Sequence, residues 1–181
     1  MITKENLNRN NFHWTEFFNS DTTYRINNDS NPNNDFVNYP SKGLEQSILP
    51  CLMNTADMCQ EFYDLLKEFL IETCGPESVK NFYVKILSGY RCKILNDLVG
   101  SHDGSQHLQG LAVDLICPKF GSPEKIMKFL HFKRFAIDQC LMEGNWLHMS
   151  RKLVKSQNRM EYAYYLPDNN GKRIKKLLKF N

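Results

Sequence analysis

The chain has 181 residues, 41% hydrophobic and 24% charged, a length and balance that suit a soluble globular protein with one substantial core, so a single domain is the expectation. A formal net charge of +3 is too slight to argue for a nucleic-acid partner, and no apolar run approaches the roughly 20 residues that cross a bilayer. The six cysteines, at 51, 59, 74, 92, 117 and 140, form no CxxC pair, which excludes the usual thiolate zinc knot and leaves mostly free, partly buried thiols.

The opening MITKENLNRNNFHWTEFF lacks the apolar stretch of a secretory signal, and HWTEFF suggests a short helix. NNDSNPNNDFVN is dense in turn formers and reads as an irregular surface arm. From Gly43 onward, Leu52, Ala56, Cys59, Phe62, Leu66 and Leu70 recur on one side of a predicted helix that Gly75-Pro76 ends, with Pro50 expected to interrupt or restart it. NFYVKILSGY reads as a strand ending at Ser88-Gly89, RCKILNDLV as a short helix and GSHDGSQ as a loop.

GLAVDLICP alternates, so Ala112, Asp114 and Ile116 are expected on one strand face, opposite Leu111, Val113 and Leu115. Asp114 would then sit among apolar neighbours and need a partner. Ser122-Pro123 opens a helix over EKIMKFLHF, with a hydroxyl at the cap and proline in the first turn. FAIDQCLME and WLHMS, joined at Gly144-Asn145, predict an antiparallel hairpin with Trp146, His148 and Ser150 on one face, and MEYAYYL a further strand. GKRIKKLLKF is expected to be a terminal basic amphipathic helix whose apolar stripe packs on the domain. The class is therefore α+β, with a small antiparallel sheet and flanking helices, no internal repeat and no nucleotide-binding glycine loop. The expected organisation is an N-terminal arm over 1–42, a core over 43–166 and a basic segment over 167–181.

Hydrolytic zinc commonly takes three ligands from His, Asp or Glu and keeps a position for water. His107 and Asp114 are two suitable groups, and His148 on a nearby strand is a third. Alone, the first two leave open a metal pair, a core histidine bonded to a carboxylate, or two residues with unrelated contacts.

Three separated blocks change that reading. SGYR at 88–91, SQHLQGLAVD at 105–114 and WLH at 146–148 together resemble the zinc D-Ala-D-Ala carboxypeptidase family of metallopeptidases, most strongly over about residues 80–150. The resemblance implies the α+β fold that these peptidases share with the hedgehog signalling domain. It also implies zinc held by His107, Asp114 and His148, and hydrolysis of an amide bond in the peptidoglycan stem peptide.

On the same comparison Arg91 lies beside the site, where a guanidinium could bind a substrate carboxylate or stabilise the tetrahedral intermediate, with a loop-bracing role as the alternative. Ser88 and Tyr90 support that loop, while Ser105 and Trp146 fall on the substrate side, Trp146 also being a candidate wall behind His148. IDQCLMEGNWLHMS resembles the phage branch, in which Glu143 matches the proton-transfer acid and Asp138 and Gln139 support the site through hydrogen bonds. Other branches place the acid three positions before the last histidine, where this chain has Asn145; Glu143 stands five before, so a solvent-facing turn glutamate remains the alternative. His102 reads as a solvated loop histidine, with a substrate contact as the alternative, and His131 as one that caps, packs or faces solvent rather than competing for zinc.

The specificity these blocks imply is an L-Ala-D-Glu-type endopeptidase of a phage or prophage. A D-Ala-D-Ala carboxypeptidase, or a virion structural protein that kept the fold, is the alternative. Expected partners are the stem peptide and phage virion or tail proteins. The expected route is synthesis in a bacterial cytoplasm and action on the wall after lysis or from a virion.

Overall fold

Apolar side chains recurring every three or four positions make Lys42–Cys74 one helix, α1, of 33 residues, in a computed structural model that describes residues 3–20, 38–167 and 173–179. Every residue of its predicted apolar face, from Leu52 to Leu70, is buried. The interruption expected at Pro50 does not occur: the proline lies inside the helix. A mid-helix proline costs about 3 kcal/mol. Leu49 and Leu52 beside it are fully buried, and each buried leucine contributes about 1.5–3 kcal/mol, so packing carries the helix through. The helix ends as predicted, with Gly75 at φ 81° and Pro76 opening a 3-10 turn.

The remaining elements are strands β1 (Lys85–Ser88) and β2 (Ala112–Ile116), helices α2 (Lys93–Leu98) and α3 (Pro123–Phe132), and strands β3 (Gln139–Glu143), β4 (Trp146–Ser150), β5 (Glu161–Pro167) and β6 (Arg173–Leu177). The fold is α+β, as the sequence indicates, with one six-stranded sheet in the order β1-β2-β4-β3-β5-β6. Among the described residues no helix is long and apolar enough to cross a membrane, and all six cysteines are free, with Cys59, Cys117 and Cys140 buried.

Two compact units make up the chain. The first combines the residues up to Glu61 with Ile86–Val113. Here 3-10 turns at Lys4–Leu7 and Trp14–Phe17 bury Leu7 and Phe17. Arg9 donates to Asp57 at 2.7 Å, and Asn11 exchanges hydrogen bonds with Gln60, so the N-terminal segment is fastened to α1. Of the Asn-rich arm only Asn38 falls among the described residues.

The second unit combines Phe62–Lys85 with the chain from Asp114 onward. Phe69, Phe120 and Phe129 form an aromatic cluster with centroids 4.6–5.9 Å apart, and Ser122 caps α3 by accepting from the Lys125 amide, as predicted. The hairpin β3–β4 turns at Gly144-Asn145, with Gly144 at φ 74° in the first turn position, where glycine carries no steric cost.

Two expectations change. The sheet is not wholly antiparallel, because β5 runs parallel to β3. β2 is the predicted strand, and Ala112 to Leu115 are all buried, so both of its faces are covered and Asp114 has the buried surroundings expected of it. The basic C-terminal run is a strand, not a helix; β6 pairs with β5, setting Ile174 opposite Leu166 and Lys176 opposite Tyr164. A helix this short is marginal alone, whereas β5 offers a ladder and Lys175 also bonds Glu161. The apolar stripe accordingly stays open, with Ile174 and Leu177 exposed.

Asp138 anchors the start of β3. It is fully buried, accepts from the Arg159 backbone amide at 2.9 Å and holds the Arg159 guanidinium, with Lys152 at 3.9 Å. Hydrogen bonds to a charged group contribute about 1.5–3 kcal/mol, so Asp138→Ala is expected to lower unfolding free energy by that amount in urea denaturation.

Candidate metal centre

The first half of the site is built on backbone contact. β1 ends at Ser88, and the next residue can only be glycine: a Cβ on Gly89 would stand 2.3 Å from the Phe17 carbonyl oxygen. The Tyr90 amide donates to that same oxygen at 2.7 Å. The Gly89 carbonyl accepts from His107 Nδ1 at 2.6 Å. A carbonyl can only accept, so Nδ1 carries the proton, and in the neutral ring the lone pair of His107 is on Nε2, the nitrogen that a metal would take.

His107 is 2% exposed and held in a run of tight turns. Its carbonyl accepts from the Arg91 and Gly110 amides, each at 3.2 Å, and its own amide donates to Ser105 Oγ at 3.3 Å. Gly110, at φ 69°, packs against Ile48 and Leu52 of α1, and its carbonyl accepts from the Thr55 hydroxyl at 2.8 Å. The long helix thus supports the turn from beneath.

The second half lies in the sheet. Asp114 is central in β2 and His148 central in β4, both buried, with His148 Nδ1 3.1 Å from Asp114 Oδ1. An ionised carboxylate in such surroundings requires a compensating positive group, and a proton or a metal ion supplies one.

Among the described residues, the side chains that together could hold a metal ion are His107, Asp114 and His148, whose ligand atoms all lie within 4.8 Å of one another. Donors on a tetrahedral zinc ion at about 2.0–2.2 Å stand roughly 3.3–3.6 Å apart, so an ion would draw this group together by no more than about 1.5 Å. Two imidazoles and a carboxylate are also the nitrogen and oxygen donor set of hydrolytic zinc. The residues fit the ion.

Residues 77–150 match the Peptidase M15 family. The matched stretch contains Ser88–Arg91, all three metal-binding candidates and the β3–β4 hairpin, and it spans well under half of the chain. Over that stretch the chain is similar to a peptidase family, the kind of family that the three separated sequence blocks also resemble. No curated protein matches the sequence.

Around this candidate centre the other expected residues take definite places. Ser88 is buried, and its hydroxyl accepts from Arg91 Nε at 3.0 Å, which fixes the side chain of half-buried Arg91. Tyr90 is buried edge-on to Phe18, and burial pushes its hydroxyl up to about 12. Ser105, expected at the substrate, is buried and shapes the His107 turn through its hydroxyl.

Gln139 bonds Glu161 on the neighbouring strand, and Asp138 binds Arg159. Glu143 and Trp146, both half-buried, pair across the hairpin, and Leu141 pairs with His148. Paired residues share a face, so Glu143, Trp146 and His148 lie on the same side of the sheet. His102 and His131 are exposed, the latter edge-on to Tyr162 at 5.3 Å. Sequence reasoning missed the Phe17 and Thr55 contacts, because a backbone carbonyl and a helix hydroxyl carry no motif.

With three ligands, removal of one strips most of the affinity. His148→Ala is expected to reduce bound zinc from one equivalent to a trace while leaving the circular dichroism spectrum intact, as read by elemental analysis of the dialysed protein.

Proposed function

We propose that this protein is a zinc-dependent endopeptidase that cuts the peptidoglycan stem peptide between L-Ala and D-Glu, acting as a phage or prophage lytic enzyme. The observation that carries the reading is the buried His107, Asp114 and His148 group inside the M15-matched stretch. His107, Asp114 and His148 would hold a zinc ion, which when bound would supply Lewis acidity toward the scissile carbonyl and the attacking water.

The remaining work falls to the chain's own groups. Glu143 takes the proton of the attacking water on its carboxylate and returns it to the nitrogen of the leaving amine. Its reach follows from the register: it stands opposite Trp146, and His148 is the next residue on that face, a diagonal separation that long side chains span. Arg91, held by Ser88, binds a substrate carboxylate such as that of D-Glu. Trp146 offers an aromatic wall to the peptide.

The same ligand set serves D-Ala-D-Ala carboxypeptidases, and a virion protein with the M15 fold would retain it without turnover. The protein is made in a bacterial cytoplasm and meets the wall after lysis or as part of a virion.

Digestion of purified peptidoglycan by the zinc-loaded protein, followed by mass identification of the new termini, tests the reading. New L-Ala carboxyl and D-Glu amino termini are expected; release of D-Ala moves the assignment to a carboxypeptidase, and no cleavage across several wall chemistries favours the virion protein. Glu143→Gln is expected to keep its zinc and to slow turnover by about 10²–10⁴-fold; an unchanged rate transfers the proton to another acid.

A further inference from the structure

We infer that Asn38 is a positioning residue of the metal centre: a three-way hydrogen-bond clamp that sets the backbone from Ser88 to Cys92, so that the Gly89 carbonyl holds His107 in its ligating tautomer. The inference rests on the reading of His107 as a metal ligand. Asn38 is only 4% exposed. Its Nδ2 donates to the Phe18 carbonyl at 2.8 Å and the Tyr90 carbonyl at 2.6 Å, while its Oδ1 accepts from the Cys92 amide at 2.9 Å.

These partners are not scattered. The Tyr90 carbonyl and the Cys92 amide stand immediately before and after Arg91, whose own amide donates to the His107 carbonyl. Phe18 follows Phe17, whose carbonyl takes the Tyr90 amide and whose backbone fills the space where Gly89 would carry a side chain. Asn38 therefore ties together the two chain segments that form the Gly89 slot. A planar amide supplies two donors and one acceptor in a fixed fork, which no other short side chain does.

Loss of the clamp strands two buried backbone carbonyls and a half-buried amide, and the segment between Ser88 and Cys92 is then free to draw back from Phe17 to reach water. Both the Gly89 carbonyl and the Ser88 hydroxyl that holds Arg91 move with it. Residues that orient a ligating histidine typically alter metal affinity by about 10–100-fold when removed. A merely structural asparagine would lower stability without changing which nitrogen of His107 carries the proton.

The test uses the full chain in three readouts: thermal unfolding, zinc affinity by chelator competition, and the His107 tautomer in metal-free protein by long-range proton–nitrogen correlation. The unaltered protein is expected to carry the proton on Nδ1. Asn38→Ala is expected to show mixed tautomers and zinc binding weaker by about 10–100-fold. Ser78→Ala is the stability control, since it removes a half-buried hydroxyl that bonds the Leu70 and Gly75 carbonyls, and it is expected to lower the melting temperature alone.

A folded Asn38→Ala protein with the unaltered tautomer and affinity overturns the inference, as does an equal loss of affinity in Ser78→Ala. Should Asn38→Ala not fold, Asn38→Asp keeps the size and the acceptor for Cys92 while losing both donors, and it is read by the same outcomes. Failure of the unaltered protein to bind zinc overturns the metal reading instead, and the tautomer measurement still tests the clamp.

Discussion

The hydrogen bond from His107 Nδ1 to the Gly89 carbonyl is the contact on which the rest of the centre depends. It selects one tautomer of one imidazole, and that choice decides which nitrogen a cation can reach. The bond is defined from both ends. On one side Gly89 lies flush against the Phe17 backbone, which leaves no volume for a side chain. On the other, Ser105, Gly110 and Thr55 fix the turn that carries the ring. An N-terminal segment that contributes no ligand therefore becomes part of the site, because the strand end it touches supplies the orienting carbonyl.

Asp114 and His148 pose a different physical problem. Both are buried on central strands, and their facing atoms are 3.1 Å apart. A carboxylate and an imidazole lone pair in that arrangement repel unless a proton or a cation stands between them or beside them. Folding and ion binding are consequently linked: an ion that binds only the folded state adds RT ln(1 + [ion]/Kd) to its stability. The rigidity of the sheet sets how closely the pair can be held, and the ion lowers the cost of holding it.

Much of this was legible in the sequence where a period or a turn residue carried the signal. The apolar face of α1, the Ser122 cap, the Gly144 hairpin turn and the placement of Asp114 on a strand follow from local chemistry. The misses have tertiary causes. Pro50 stays helical because Leu49 and Leu52 are buried beside it, and the basic C-terminal run becomes β6 because β5 presents a ladder. Asn38 was unreadable for another reason: in a run of turn formers, nothing local marks it as an asparagine whose amide is buried.

The position of the acid illustrates how sequence spacing is converted by register. Counting back from His148, three positions reach Asn145, which is in the exposed turn, and five reach Glu143, which is on the strand. In a two-residue hairpin the pairs Glu143–Trp146 and Leu141–His148 sit on one face, so an odd separation that crosses the turn returns to the same side of the sheet. Glu143 and His148 are then diagonal neighbours, although the chain between them reverses direction. A carboxylate displaced by two positions along the strand from the more usual spacing thus keeps its face and changes its depth along the hairpin. Depth sets how far the side chain must extend, and glutamate is one methylene longer than aspartate.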